Sequence, residues 1–301
     1  MELVLRRSRE PVSPYDSYIS SLAPGSRRTQ AECLDRIASM IAGERVSGRE
    51  LRWEKLTYEH TSAIRAMIME QPWSPAYRRK HMYALRRVLK ECWRLGLMDA
   101  HTYQHAVDLE PIKGSSKLPG KHLPADTVRQ ALQRSREIGT PRAIRDTAIT
   151  ALAWGTGARR AEIARLKLDD YDGTAVRIAG KGHKTRLVAV VGLAQEYLED
   201  WIEVRGDRPG ALFVAIIGAG ITPNTSMDHL SGQSIYDAVR RVIEATPHDL
   251  RRTLIGDMLS GGVDPALIRN VTGHEDIRTL LSYDRRNAEM TEDALRMIRG
   301  K

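Results

Sequence analysis

Six side chains in the second half of this 301-residue chain are suited to work on a phosphate: Arg159, Lys181, His248, Arg251, His274 and Tyr283. A phenol attacks poorly while protonated, since its free pKa is about 10, and improves where cations stabilise the phenolate. Tyr283 is therefore a candidate nucleophile only in company. Guanidiniums and imidazoles are the company that phosphoryl chemistry needs, because they pair with the oxygens on which negative charge builds.

Local sequence says how each group is presented. His248-Asp-Leu-Arg251 follows Thr246 and Pro247, a cap and a first helical residue, so His248 and Arg251 share a face of the first helical turn beside its unpaired amides. Arg159 follows the Gly155-Thr-Gly157 turn and opens a helix, with Glu162 on the same face three residues on. A cation at a helix N-terminus is disfavoured by the macrodipole, which suggests a partner anion. Gly273-His274 stands at the stop of a short helix, and Lys181 at a glycine-rich tip. Each residue also has a plainer reading. Arg159 and Glu162 could be a surface ion pair, His248 a packed cap residue, Lys181 a solvated turn residue and Tyr283 a buried amphipathic side chain.

The elements that carry these groups follow from caps and periodicity. Gly114-Ser-Ser-Lys-Leu-Pro-Gly-Lys121 reads as a linker, dividing residues 1–113 from 122–301. Before it the pattern is helical, with starts at Ser13-Pro14, Ser26, Thr57 and Ser74-Pro75, and stops near Gly43 and Gly96. In the fourth helix Leu85, Val88, Cys92 and Leu95 form an apolar face, while Arg79, Arg86, Arg87, Lys90 and Arg94 occupy other sides. This basic stripe is either a solvated face or a DNA-facing one. Few acidic partners stand at helical spacing and the basic linker follows, with Lys117 and Lys121, which favours DNA. After the linker come helices over 124–137, 141–154 and up to about Leu166, then strands 175–179 and 185–191 joined by Gly180-Lys-Gly-His-Lys184, then mostly helix. The expected fold is mainly α, with a small antiparallel sheet in the C-terminal domain.

Composition bounds the class. A net charge of +9 and a pI near 9.7 attract polyanions, nucleic acid above all, though a membrane surface would also fit. No segment approaches the roughly 18 apolar residues of a spanning helix, and the first residues lack a signal peptide's apolar stretch. A soluble, cytoplasmic and nucleoid-associated protein is expected. Cys33 and Cys92 are too few for a disulfide framework or a Cys-rich zinc site and read as buried thiols.

Taken in order, Arg159, Lys181, His248-x-x-Arg251, His274 and Tyr283 resemble the active site of the tyrosine recombinase (phage integrase) family. The matching segments are Gly-x-Arg-x-x-Glu at 157–162, Gly-Lys-Gly-x-Lys at 180–184, His-x-x-Arg, and Gly-His followed by Tyr. The likeness covers 122 to about 290 and, more loosely, residues 1–113, which resemble the family's helical core-binding domain of SAM-like fold. It implies a two-domain, C-shaped clamp on double-stranded DNA and a site-specific recombinase.

In that reaction Tyr283 attacks a backbone phosphorus, Arg159, Arg251 and His274 hold its oxygens, Lys181 protonates the leaving 5′-oxygen, and His248 takes the phenolic proton. Glu162 orients the turn that bears Arg159. Neither metal nor cofactor is implied. The family further implies a monomer in solution and a tetramer at synapsis, with the tail around Ala294, Leu295 and Met297 docking in a neighbour. An accessory directionality factor would fit. Asp284-Arg285 stands where many relatives have Thr-His, and Arg252 where His is frequent, which weakens assignment to the Xer branch. With no room for an arm-site-binding domain, a short integrase of a mobile element is expected. Alternatives are a Xer-type resolvase, an integron or transposon recombinase, a cleavage-silent regulator of the same fold, and a type IB topoisomerase-like enzyme.

Overall fold

The computed structural model describes residues 13–114, 121–180, 184–218, 220–221, 225–274 and 276. The chain divides into two compact units, Met1–Pro119 and Gly120–Lys301.

The first unit is helical: α1 (Pro14–Ser21), α2 (Pro24–Ala42), α3 (Tyr58–Glu70), α4 (Pro75–Arg94) and α5 (Ala100–Val107). Its core joins Tyr18, Leu34, Ile37, Trp53, Ile64, Ile68, Leu85 and Leu89. Cap chemistry sets the boundaries. Ser74 accepts from the Tyr77 amide to start α4, and Thr57 with His60 forms a reciprocal cap on α3. Helix α2 starts at Pro24 and not at Ser26, because proline is preorganised for the first helical position. Leu95, expected on the apolar face of α4, is exposed, since the helix ends at Arg94 and the chain turns away at Gly96. Cys33 and Cys92 are buried free thiols, and burial pushes Cys92 up to about 12.

The second unit contains α6 (Ala125–Glu137), α7 (Pro141–Thr156), α8 (Arg160–Arg165), strands β1 (Ala175–Ala179) and β2 (Thr185–Ala189), then α9 (Leu193–Arg205), α10 (Gly232–Val242), α11 (Pro247–Ser260) and α12 (Pro265–Thr272). The strands pair antiparallel, from Ala175 opposite Ala189 to Ala179 opposite Thr185. Helix α7 is the axis. Ala148, Ile149, Ala151, Leu152 and Ala153 are all buried, and small side chains on several faces let α6, α9, α10 and α11 pack closely around it. It continues through Gly155 and Thr156, so of the expected Gly155-Thr-Gly157 turn only Gly157, left-handed at φ 62°, ends the helix. Strand β2 stops at Ala189, short of Val191. No helix among the described residues is long and apolar enough to cross a membrane.

Candidate active site

Two helix ends and one helix start meet around the candidate cations of the second unit. Helices α7 and α12 both finish on a left-handed glycine, Gly157 and Gly273. Their terminal carbonyls carry the negative end of each helix dipole, which favours cations. Arg251, buried in the first turns of α11, donates through Nη1 to Gly157 O and through Nη2 to Thr272 O at 2.7 Å. Arg159 donates through Nη2 to Gly273 O at 3.1 Å. Each guanidinium is thus steered by the carbonyl end of a helix far away in sequence.

Arg159 is the N-cap of α8, and its side chain is 44% exposed. Glu162 accepts from the Arg159 amide at 2.8 Å and from its Nη1 at 2.9 Å. The macrodipole argument for a missing anion is therefore answered in part within the chain: Glu162 and Gly273 O are Arg159's partners. Glu162 is buried and also receives both terminal nitrogens of Arg186, at 3.2 and 2.7 Å. Burial alone would raise the Glu162 pKa; hydrogen bonds from Arg186 and Arg159 outweigh it and hold the carboxyl below the usual carboxylate range.

His274 follows the α12 cap. Thr272 Oγ1 donates to Ile268 O at 2.6 Å, so the 2.8 Å contact between Thr272 Oγ1 and His274 Nδ1 is donated by the ring. That leaves Nε2 as the acceptor facing Arg251 Nη2 at 3.1 Å. Burial and the guanidiniums of Arg251, Arg159 and Arg186 push the His274 pKa down to about 4. The imidazole is therefore neutral at pH 7. His248, second residue of α11, is also held below the ordinary imidazole value, first by the protein mass around it and then by Arg252 and Arg251, although its outer edge faces solvent.

Arg159, Glu162, Arg186 and His274 border a cleft of about 870 Å³ whose lining also includes Lys184 and Arg269. Four residues expected from the sequence, Arg159, Glu162, Arg251 and His274, are joined by hydrogen bonds through Gly157, Thr272 and Gly273. His248 lies near enough to Arg251, Arg159 and His274 to share their field. Lys181, Lys117 and Tyr283 lie outside the described residues.

Arg186 is not singled out by the sequence. It sits in a β-rich run where a lone arginine passes for a solvated strand residue. The signal is indirect: a buried Glu162 opposite Arg159 needs further donors. Arg165 and Arg269 on the cleft wall escape sequence reasoning in the same way, being basic residues without a motif, whereas Lys184 closes the Gly-Lys-Gly-x-Lys segment.

The basic stripe on α4 is engaged within its own unit. Arg79 donates to Ile112 O and Gly114 O, and Arg86 to Val107 O and Leu109 O, strapping the segment after α5 onto α4. Arg94 pairs with Glu91, an acidic partner at helical spacing, and Arg87 lies over the Tyr18 ring. Lys90 is half-buried, and Lys121 is exposed with its amide bonded to Asp249.

Residues 121–290 match the phage integrase family. The chain belongs to this family, the tyrosine recombinases, a class of DNA strand-transferring enzymes. Among curated relatives, the tyrosine recombinase XerC of Shewanella amazonensis is 29% identical over 267 residues, covering 87% of this chain and 85% of that one. XerC of Corynebacterium glutamicum is 32% identical over 184 residues, 56% of this chain and 54% of that one. The fold resembles a lambda integrase dimer bound to a COC′ core site, with TM-score 0.67 at 15% identity over 92% of this chain and 96% of the other. It also resembles the Tn1549 transposon integrase in complex with transposon right end DNA, with TM-score 0.67 at 12% identity over 95% and 98%.

Proposed function

We propose that the protein is a site-specific recombinase of double-stranded DNA in which Tyr283 is the nucleophile. The phenolic oxygen bonds to a backbone phosphorus while the bond to the 5′-oxygen breaks, leaving a 3′-phosphotyrosine and a free 5′-hydroxyl. A second 5′-hydroxyl reverses the step, so the phosphodiester energy is conserved. Arg159 and Arg251 hold the non-bridging oxygens in the transition state, and this charge stabilisation accounts for most of the acceleration expected in such a reaction. His248, neutral at pH 7, accepts the phenolic proton, and Lys181 supplies one to the departing oxygen, each role worth about 10² to 10⁴ in rate. His274 holds the same oxygens once DNA binding has protonated its Nε2, which then becomes a donor.

The observation that carries this reading is the convergence of Arg159, Arg251 and His274 on the carbonyl ends of α7 and α12. Three of the residues that the family resemblance assigns to catalysis are thereby linked through the ends of two helices. The cytoplasm is the expected compartment, with DNA the partner of both units and four protomers at synapsis, aided by a directionality factor.

A mobile-element integrase is the preferred context, from Asp284-Arg285 and Arg252. A Xer-type resolvase is the second reading, favoured by the 29% identity to a XerC over 267 residues. A duplex nicked beside the cleavage site tests the chemistry. Wild-type protein is expected to accumulate a denaturation-resistant adduct that Tyr283→Phe does not form. Absence of an adduct from wild type on its own recombination site would favour a DNA-binding regulator, and relaxed circles without strand exchange a topoisomerase. Mapping cleavage against flanking sequence separates the two contexts: element ends for an integrase, a chromosomal resolution site for a Xer enzyme.

A further inference from the structure

We propose that Arg186 is a positioning residue for strand cleavage, holding Glu162 and the turn after α12 so that the Arg159 guanidinium stays available to phosphate. The proposal deepens the recombinase reading above and rests on it.

Three observations carry it. First, Arg186 joins three segments distant in sequence. From β2, Nε donates to Val271 O at 2.9 Å, in the last turn of α12, while both terminal nitrogens engage the Glu162 carboxylate on α8. Second, the side chains are packed to fit. Arg186 and Glu162 are 13% and 7% exposed, and a methyl group at Gly273 would come within 2.8 Å of Arg186 Nη1. A lysine has the charge but not the planar fork that reaches a carboxylate and a carbonyl together.

Third, the charges leave a surplus. Glu162 is a buried carboxylate shared by Arg159 and Arg186. With Arg159 alone, the pair would be neutral and Glu162 would hold the Arg159 guanidinium inward. With Arg186 present, the triad is a net cation, and Arg186, the less exposed guanidinium, takes the paired place. Arg159, 44% exposed, keeps its charge toward the cleft. The bond to Val271 O fixes the turn that leads through Thr272 and Gly273 to His274, so one side chain sets two phosphate-facing groups.

The test uses the full chain as Arg186→Gln and Arg186→Lys, with wild type and Tyr283→Phe alongside. Duplex binding, adduct formation on a nicked duplex, thermal melting and the NMR titration of the His274 ring are all read. Arg186→Gln is expected to bind DNA much as wild type does and to form adduct on the order of 10²-fold more slowly, the cost of misplacing a clamp. Its His274 midpoint should rise, since Arg186 is one of the cations that depress it. Arg186→Lys should restore the midpoint more fully than the cleavage rate. Loss of the charge alone raises the midpoint in the glutamine variant, so positioning is read from Arg186→Lys, which keeps the charge and loses the planar fork.

Near-wild-type cleavage by folded Arg186→Gln, or an unmoved His274 midpoint, overturns the proposal. If the glutamine variant does not fold, Arg186→Lys decides: folded with full cleavage overturns the proposal, folded with slow cleavage supports it. Failure of wild type to form any adduct removes the recombinase reading, while the His274 midpoint still reports on Arg186.

Discussion

Arg251 spends its guanidinium on three partners at once, the Gly157 and Thr272 carbonyls and the His274 ring. Such a side chain is fixed before substrate arrives, which is what a transition-state clamp requires, since reorganisation during the reaction is avoided. Arg251→Ala should therefore retain duplex binding and lose adduct formation by at least about 10²-fold, the cost of removing one preorganised donor. Gel shift and nicked-duplex cleavage, measured together, check this; equal losses in both would make Arg251 a general DNA contact.

His274 gives a second residue-scale expectation. Its ring is neutral, with a pKa pushed down to about 4 by burial and neighbouring guanidiniums. A phosphate between those guanidiniums and the ring offsets their repulsion and favours the imidazolium, raising the pKa. Between pH 4 and the usual imidazole range, DNA binding should take up protons. Calorimetry in buffers of differing ionisation heat reads that uptake directly, and His274→Gln should diminish it.

At the scale of elements, the site depends on where helices stop. Gly157 and Gly273 are left-handed caps whose carbonyls, or those beside them, receive Arg251 and Arg159. Gly157→Ala would place a non-glycine residue at positive φ, with its Cβ 3.0 Å from Leu254 Cδ2. The left-handed conformation alone costs about 1 to 2 kcal/mol. Melting should fall by roughly 2–8 °C, and adduct formation should slow further than the stability loss explains, because an Arg251 acceptor moves. Wild-type cleavage in a destabilised Gly157→Ala would detach the cap from the chemistry.

The same elements show what can be read in advance. The starts of α1, α3, α4 and α11 are legible because cap residues and proline act through local hydrogen bonds and a fixed φ. The α5 helix escapes the sequence reading, although Asp99 caps it through the Thr102 amide. The α4 stripe cannot be resolved from sequence, because Arg79 and Arg86 find carbonyl partners about 21 to 35 residues away. Long-range partners of that kind leave no periodic trace, and Arg186 is hidden for the same reason.

For the whole molecule, charge is the dominant property. A net +9 over 301 residues makes binding to duplex DNA a matter of counterion release. With roughly 6–10 phosphate contacts, affinity should fall by about 10³ to 10⁵ between 50 and 200 mM salt. A titration of binding against salt yields the number of contacts from its slope. A flat dependence would contradict a backbone-clamping protein. Cation loss on α4 should weaken binding less than loss of Arg165, Lys184 or Arg269 on the cleft wall, since Arg79, Arg86 and Arg94 already serve their own unit.

The central claim concerns one phenol oxygen and one phosphorus. Trapping wild-type protein on a nicked duplex, digesting it with protease and sequencing the nucleotide-bearing peptide by mass spectrometry tests it most directly. The mechanism requires the DNA to be attached through its 3′-phosphate to the peptide containing Tyr283. Attachment to any other residue, or through a 5′-phosphate, would contradict it.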